Sequence, residues 1–128
     1  MDCPDCGTEP VVFAVPEQFQ AFVPGTETAV GLCPACLGLQ PASDPPADPA
    51  FERIHEAFPA DRAPVPMALL LGLLDELAVY RSALSTLLER VERAGVDALL
   101  VLSRMADDPD FDPTVDLEAR RRQLEQLL

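Results

Sequence analysis

The residues with the clearest chemistry are Cys3 and Cys6, answered downstream by Cys33 and Cys36, and together they are all four cysteines of the chain. Each pair is a Cys-Pro-x-Cys segment: Cys3-Pro4-Asp5-Cys6-Gly7 and Cys33-Pro34-Ala35-Cys36. Thiolates spaced this way can point at one ion when the chain between them turns tightly, and a proline presets φ for such a turn. Gly7 can take the left-handed conformation after the first pair. The second pair is followed by Leu37 and only then Gly38, which predicts a less regular second turn. Four sulfurs at about 2.3 Å close a tetrahedron and leave no position for water or substrate. The expected metal is therefore Zn2+, and its expected role is structural.

The same thiols have other uses. Dithiol–disulfide exchange usually employs one Cys-x-x-Cys at a helix N-terminus in a βαβ setting, which two matched pairs flanking a hairpin fit poorly. A tetrathiolate iron centre would instead make the chain an electron carrier. Beyond the cysteines there is one histidine, His55, and no Ser or Cys partner motif for a hydrolase triad. All nine basic residues are Arg, so lysines of the Walker or Schiff-base type are excluded. No enzymatic activity is expected.

The elements that must position these thiols begin with a small β-rich module over residues 1–40. Val11–Val15 predicts one strand, Phe19–Val23 a second with Phe19, Ala21 and Val23 alternating inward, and Thr28–Leu32 a third. Pro24-Gly25-Thr26-Glu27 supplies the turn between the last two. The third strand runs into Cys33, so a hairpin returns the second pair to the first. A module this small needs a metal or disulfides to fold. Residues 41–50, with four prolines, read as an extended linker.

Residues 51–128 read as helical. Phe51–Phe58 predicts a short helix with Asp48 as N-cap and Phe51, Ile54, His55 and Phe58 on one face. His55 is either a further metal ligand or a half-buried packing residue, and four thiolates already suffice. A long helix over about 66–94 should open at Pro66 and end at Gly95, a C′ glycine. Its Leu70, Leu73, Leu77, Tyr80, Leu84, Leu87 and Val91 recur at alternating spacings of three and four, a heptad seam. Met67, Leu69, Leu71 and Leu74 make its first half apolar nearly all round, which demands neighbours on every side. Asp97 should cap a helix from Val96 to Asp107, and a last helix is expected over Thr114–Leu128. Between them the aspartates from Asp107 to Asp112 do not match a calcium loop and read as turns and caps. The fold class is α+β: a β module followed by a helical hairpin or bundle with one long central helix.

Charge bounds the partners. Asp and Glu number 22 against nine Arg, a net charge of −13. Such a surface repels phosphates and anionic lipid, and residues 1–40 contain no Arg or Lys, so nucleic acid is disfavoured. Arg120-Arg121-Arg122 sits amid Glu118 and Glu125 and reads as a salt-bridged face. The longest apolar run, Val65–Leu74, holds Pro66 and Gly72 and is far shorter than the roughly 20 residues of a membrane span. No basic segment precedes an apolar core at the start, and a cytoplasmic protein with reduced thiols is expected.

The Cys-Pro-x-Cys pairs around a short β module resemble zinc ribbons, and that resemblance implies only the four cysteines as metal ligands. The knuckles are also similar to those of rubredoxins, although the second lacks the directly following glycine and aromatics are few. Over its whole length the chain, with its Leu-Glu-Ala-Arg-Arg-Arg-Gln-Leu-Glu-Gln-Leu ending, resembles small uncharacterised haloarchaeal proteins with an N-terminal ribbon and a Leu-rich helical tail. Acidic excess, absent Lys and a single Ile54 fit that halophilic reading. The leading expectation is a zinc-binding interaction or adaptor protein, a homodimer through Met67–Val91 with a possible protein partner. A nucleic-acid-associated ribbon and an iron electron carrier are the alternatives.

Overall fold

The computed structural model describes residues 3–4, 6–23 and 28–126. Strands β1 (Val11–Ala14), β2 (Ala29–Leu32) and β3 (Leu39–Pro41) form one antiparallel sheet in the order β1-β2-β3. The register sets Leu32 between Val11 and Leu39, and Val30 between Phe13 and Pro41. Val11, Phe13, Val30 and Leu32 bury one face of the sheet; burial alternates along β1, while the central strand β2 is buried along its whole length.

Two strand assignments change. Glu17–Phe22 is a 3-10 helix rather than a strand, and Phe19 and Val23 are buried while Ala21 is exposed. Pro16 starts this segment, and Gln20 Nε2 donates to the Val15 carbonyl at 3.2 Å, a local bond that a strand would not make. The expected Pro24–Glu27 turn lies outside the described residues. The third strand of the sheet is instead Leu39–Pro41, which takes Pro41 out of the linker; a proline is tolerated there because β3 is an edge strand.

The predicted long helix is two helices. α1 (Pro64–Leu73) gives way to a 3-10 turn over Leu74–Glu76, and α2 (Arg81–Arg93) follows Tyr80. The Glu76 carbonyl accepts from both Val79 and Tyr80, closing the reversal. Burial explains the break. Met67, Ala68, Leu69, Leu70 and Leu74 are fully buried, as are Leu84 and Leu87, and α2 packs on α1 to cover them. A continuous rod of about 40 Å would have left these faces to water. Of the seven seam residues, all but half-buried Tyr80 are buried within the chain. At Gly72 the α1 backbone approaches β3 so closely that an added Cβ would stand 2.9 Å from Leu39 Cβ.

α2 ends as its sequence predicts. Gly95 has φ 88°, with Gly95 N–H donating to the Glu92 carbonyl and Val96 N–H to that of Val91. α3 (Ala98–Ala106) is capped by Asp97, whose Oδ1 accepts from Leu100 N–H at 3.1 Å. α4 (Leu117–Glu125) begins three residues later than expected because Asp116, not a residue near Thr114, caps it through Ala119 N–H. The short helix expected over Phe51–Phe58 is only a 3-10 turn at Phe51–Arg53, preceded by Ala50 with no side-chain cap. Its apolar face is real, since Phe51, Ile54 and Phe58 are buried and the Phe51 ring lies 5.3 Å from Phe13. One cluster of buried side chains runs from Val11 in the sheet to Leu124 in α4.

Candidate metal centre

Both cysteine pairs sit at the same end of the sheet because the register puts them there. The first precedes β1, while the second forms the connection from β2 to β3, immediately after Leu32, which pairs with Val11. The four Sγ atoms lie within 4.8 Å of one another, with Cys3 to Cys36 at 3.6 Å and Cys6 to Cys33 at 3.1 Å. Bonds of about 2.3 Å to one tetrahedral ion imply sulfur separations of about 3.8 Å, so the donor set fits a single metal with small adjustments.

The two knuckles share one backbone design. Cys3 N–H donates to Thr8 O and Gly7 N–H to Cys3 O, both at 2.8 Å. Cys33 N–H donates to Gly38 O at 2.9 Å and Leu37 N–H to Cys33 O at 2.8 Å. Leu37 takes φ 65° where Gly7 takes φ 72°, so the second turn is as regular as the first despite lacking glycine at that position. A left-handed non-glycine residue costs about 1–2 kcal/mol. Burial of the Leu37 side chain in the core offsets it.

Exposure divides the thiols. Cys3 and Cys33 are buried, Cys36 is half-buried and Cys6 is exposed. Hydrogen bonding from Thr8, and then from Cys33, lowers the Cys6 thiol to about 6. Burial pushes Cys36 up to about 12 and raises Cys33 as well. Four thiols this close cannot all ionise without a cation among them, and a divalent ion reverses that balance.

The other residues singled out in the sequence take structural positions. His55 Nδ1 accepts from Ala57 N–H at 2.9 Å, which fixes the neutral tautomer as Nε2–H, and Nε2 donates to Asp108 Oδ2 at 2.8 Å. With both ring nitrogens engaged and the ring 5.1 Å from Phe111, His55 packs the loop before α1 against the loop after α3. Asp108 Oδ1 also accepts from Asp110 N–H, a turn rather than a cation site. Arg121 bridges Glu118 at 2.6 Å and Glu125 at 3.1 Å, and Arg120 donates to the Asp75 carbonyl and Gln123. Among the described residues, the cysteines are the only cluster of three or more potential ligands close enough to share an ion.

One feature had no local signal in the sequence. A cleft of about 230 Å³ opens beside Cys36, between its knuckle and the α1–α2 turn, lined by Gly38, Leu39, Glu76, Tyr80 and Thr114 among others. It is assembled from segments far apart in the chain.

Fold and site together define an α+β protein carrying a candidate four-cysteine metal centre on a three-stranded sheet. The chain belongs to a family of unknown function, DUF6276, whose model matches residues 2–128. No curated protein and no solved structure gives a match. No helix is long and apolar enough to cross a membrane among the described residues.

Proposed function

We propose that this chain is a non-enzymatic interaction protein in which Cys3, Cys6, Cys33 and Cys36 hold one structural Zn2+. The carrying observation is the closed set of four sulfurs within 4.8 Å. Four thiolates satisfy tetrahedral zinc completely, leaving no open coordination position for chemistry. The ion's work is then to fix two knuckles that a sheet of three short strands cannot hold alone. What the module offers a partner is an acidic surface that includes exposed Glu9 and Glu17, and the sequence of residues 1–40 holds five Asp or Glu and no basic residue. A partner with a basic face fits that surface, and nucleic acid does not. The net charge of −13 without Lys fits a cytoplasm of high salt, where repulsion among carboxylates is screened.

The knuckle geometry favours a second reading. Leu37 completes the second turn in the glycine-like conformation, which removes the missing glycine as an argument against a rubredoxin-like iron centre, while the scarcity of aromatics still counts against it. Elemental analysis and visible absorption of the protein purified without added metal decide between them. One zinc per chain and no colour support the structural reading; a red protein with one iron supports electron transfer.

A further inference from the structure

We propose that the two knuckles form a peroxide-sensitive clasp, in which oxidation links Cys6 to Cys33 and Cys3 to Cys36 and so releases the metal while the module stays closed. This rests on the tetrathiolate reading and adds a regulation to it.

The geometry brings two cross-knuckle pairs within reach. Cys6 and Cys33 have their sulfurs 3.1 Å apart, and Cys3 and Cys36 3.6 Å apart, and each pair joins one knuckle to the other. Access orders the events, because Cys6 is exposed whereas Cys3 and Cys33 are only 5% and 1% exposed. Hydrogen peroxide therefore meets Cys6 first. The Cys6 thiolate attacks one peroxide oxygen, an S–O bond forms, the O–O bond breaks, and hydroxide leaves and is protonated to water. The Cys33 thiolate then attacks the sulfenic sulfur of Cys6; the S–S bond forms, the S–O bond breaks, and a second water departs. Two sulfurs have given up two electrons to one peroxide. Only two thiolates then remain, too few to retain the ion. A second peroxide closes Cys3 onto Cys36 by the same steps, and a dithiol reductant reverses both.

Loop length points the same way. Cys6 and Cys33 are 27 positions apart, whereas the cysteines within a knuckle are three apart. A crosslink over the longer loop restrains the unfolded chain more. It also ties the start of β1 to the β2–β3 connection, which is the job the metal performs. Pairing within each knuckle would leave the knuckles free of each other.

The chain suits a direct test. The first basic residue is Arg53, so trypsin leaves both knuckles on one peptide, but cleavage after glutamate separates peptide 1–17 from peptide 28–52. The full-length protein as purified is first assayed for metal, then treated with one and two equivalents of hydrogen peroxide, with released metal read by a chromogenic chelator. Free thiols are alkylated and the digest is weighed without reduction. The expected result is peptide 1–17 joined to 28–52, metal released with the first equivalent, and both effects undone by dithiothreitol. Separate peptides each lighter by two hydrogens would overturn the clasp. So would sulfinic acid on Cys6 beside a free Cys33, or metal that stays bound after the thiols are consumed. Purification without metal would overturn the tetrathiolate reading instead, and linked against separate peptides would still decide the pairing.

Discussion

Leu37 reproduces at φ 65° the turn that Gly7 makes at φ 72°, each donating its N–H to the carbonyl of its knuckle's first cysteine at 2.8 Å. The two residues reach that conformation by different means. Gly7 has no Cβ to strain, and a Cβ built there meets nothing within 4 Å. Leu37 accepts the strain and is held by burial at 3% exposure.

Both residues should resist substitution, for different reasons. Gly7→Ala should cost about 1–2 kcal/mol, since strain is the whole effect. Leu37→Gly removes that strain but also the buried side chain, whose loss costs about 2–5 kcal/mol, and should lower stability by about 1–3 kcal/mol on balance. Urea midpoints of the metal-loaded proteins read both. A more stable Leu37→Gly protein would mean that burial does not hold the second knuckle.

Gly72 is where the sheet meets the helices. Gly72→Val places side-chain atoms against Leu39, already 2.9 Å from an ideal Cβ, and should destabilise by about 1–3 kcal/mol despite removing a helix glycine. If thermal unfolding of Gly72→Val matched wild type, β3 would not be packed on α1 as described.

Asp108, beside Asp110 N–H and His55, contributes to the acid limb, as does Glu118 beside Arg121. Asp110 N–H, and then His55, hold the Asp108 carboxyl below its usual range. A depressed carboxylate contributes stability that is present above its unfolded value, about 3.9, and is lost as pH falls through the lower folded one. The comparison is made on metal-free proteins, since metal binding by thiolates is itself pH-dependent. Asp108→Asn should therefore lose less stability than wild type between pH 4 and 2, measured by urea midpoints at each pH. Equal losses would remove Asp108 from the account.

Charge gives a further expectation. With a net charge of −13, raising potassium chloride from 0.1 M towards 2 M should raise the melting temperature as carboxylate repulsion is screened. A melting temperature that falls with salt would contradict the high-salt reading.

Much of this architecture was legible because its signals are local. Cys-Pro-x-Cys twice, Gly95 after an amphipathic run and Asp97 before an apolar one each name a structure within four or five residues, and each is found where expected. The failures have the opposite character. Phe19–Val23 alternates like a strand, but together with the preceding Glu17 and Gln18 it forms a local 3-10 turn instead. β3 is three residues ending in proline, visible only as the return from a knuckle whose regularity depends on Leu37 being buried. The helix from Pro66 to Ala94 reads as continuous because its seam continues, yet the all-round apolar half is satisfied only when the second half folds back on it. A local turn decided the first, and tertiary burial decided the other two.

The central claim is that four cysteines share one structural zinc ion, and metal stoichiometry tests it most directly. Wild-type protein purified without added metal should carry one zinc per chain by elemental analysis. Cys33→Ser, its helices confirmed by circular dichroism, should carry far less and lose amide protection over Val11–Ala14 and Ala29–Leu32. A wild-type chain without zinc, or a Cys33→Ser chain that keeps both the metal and the protection, would contradict the account.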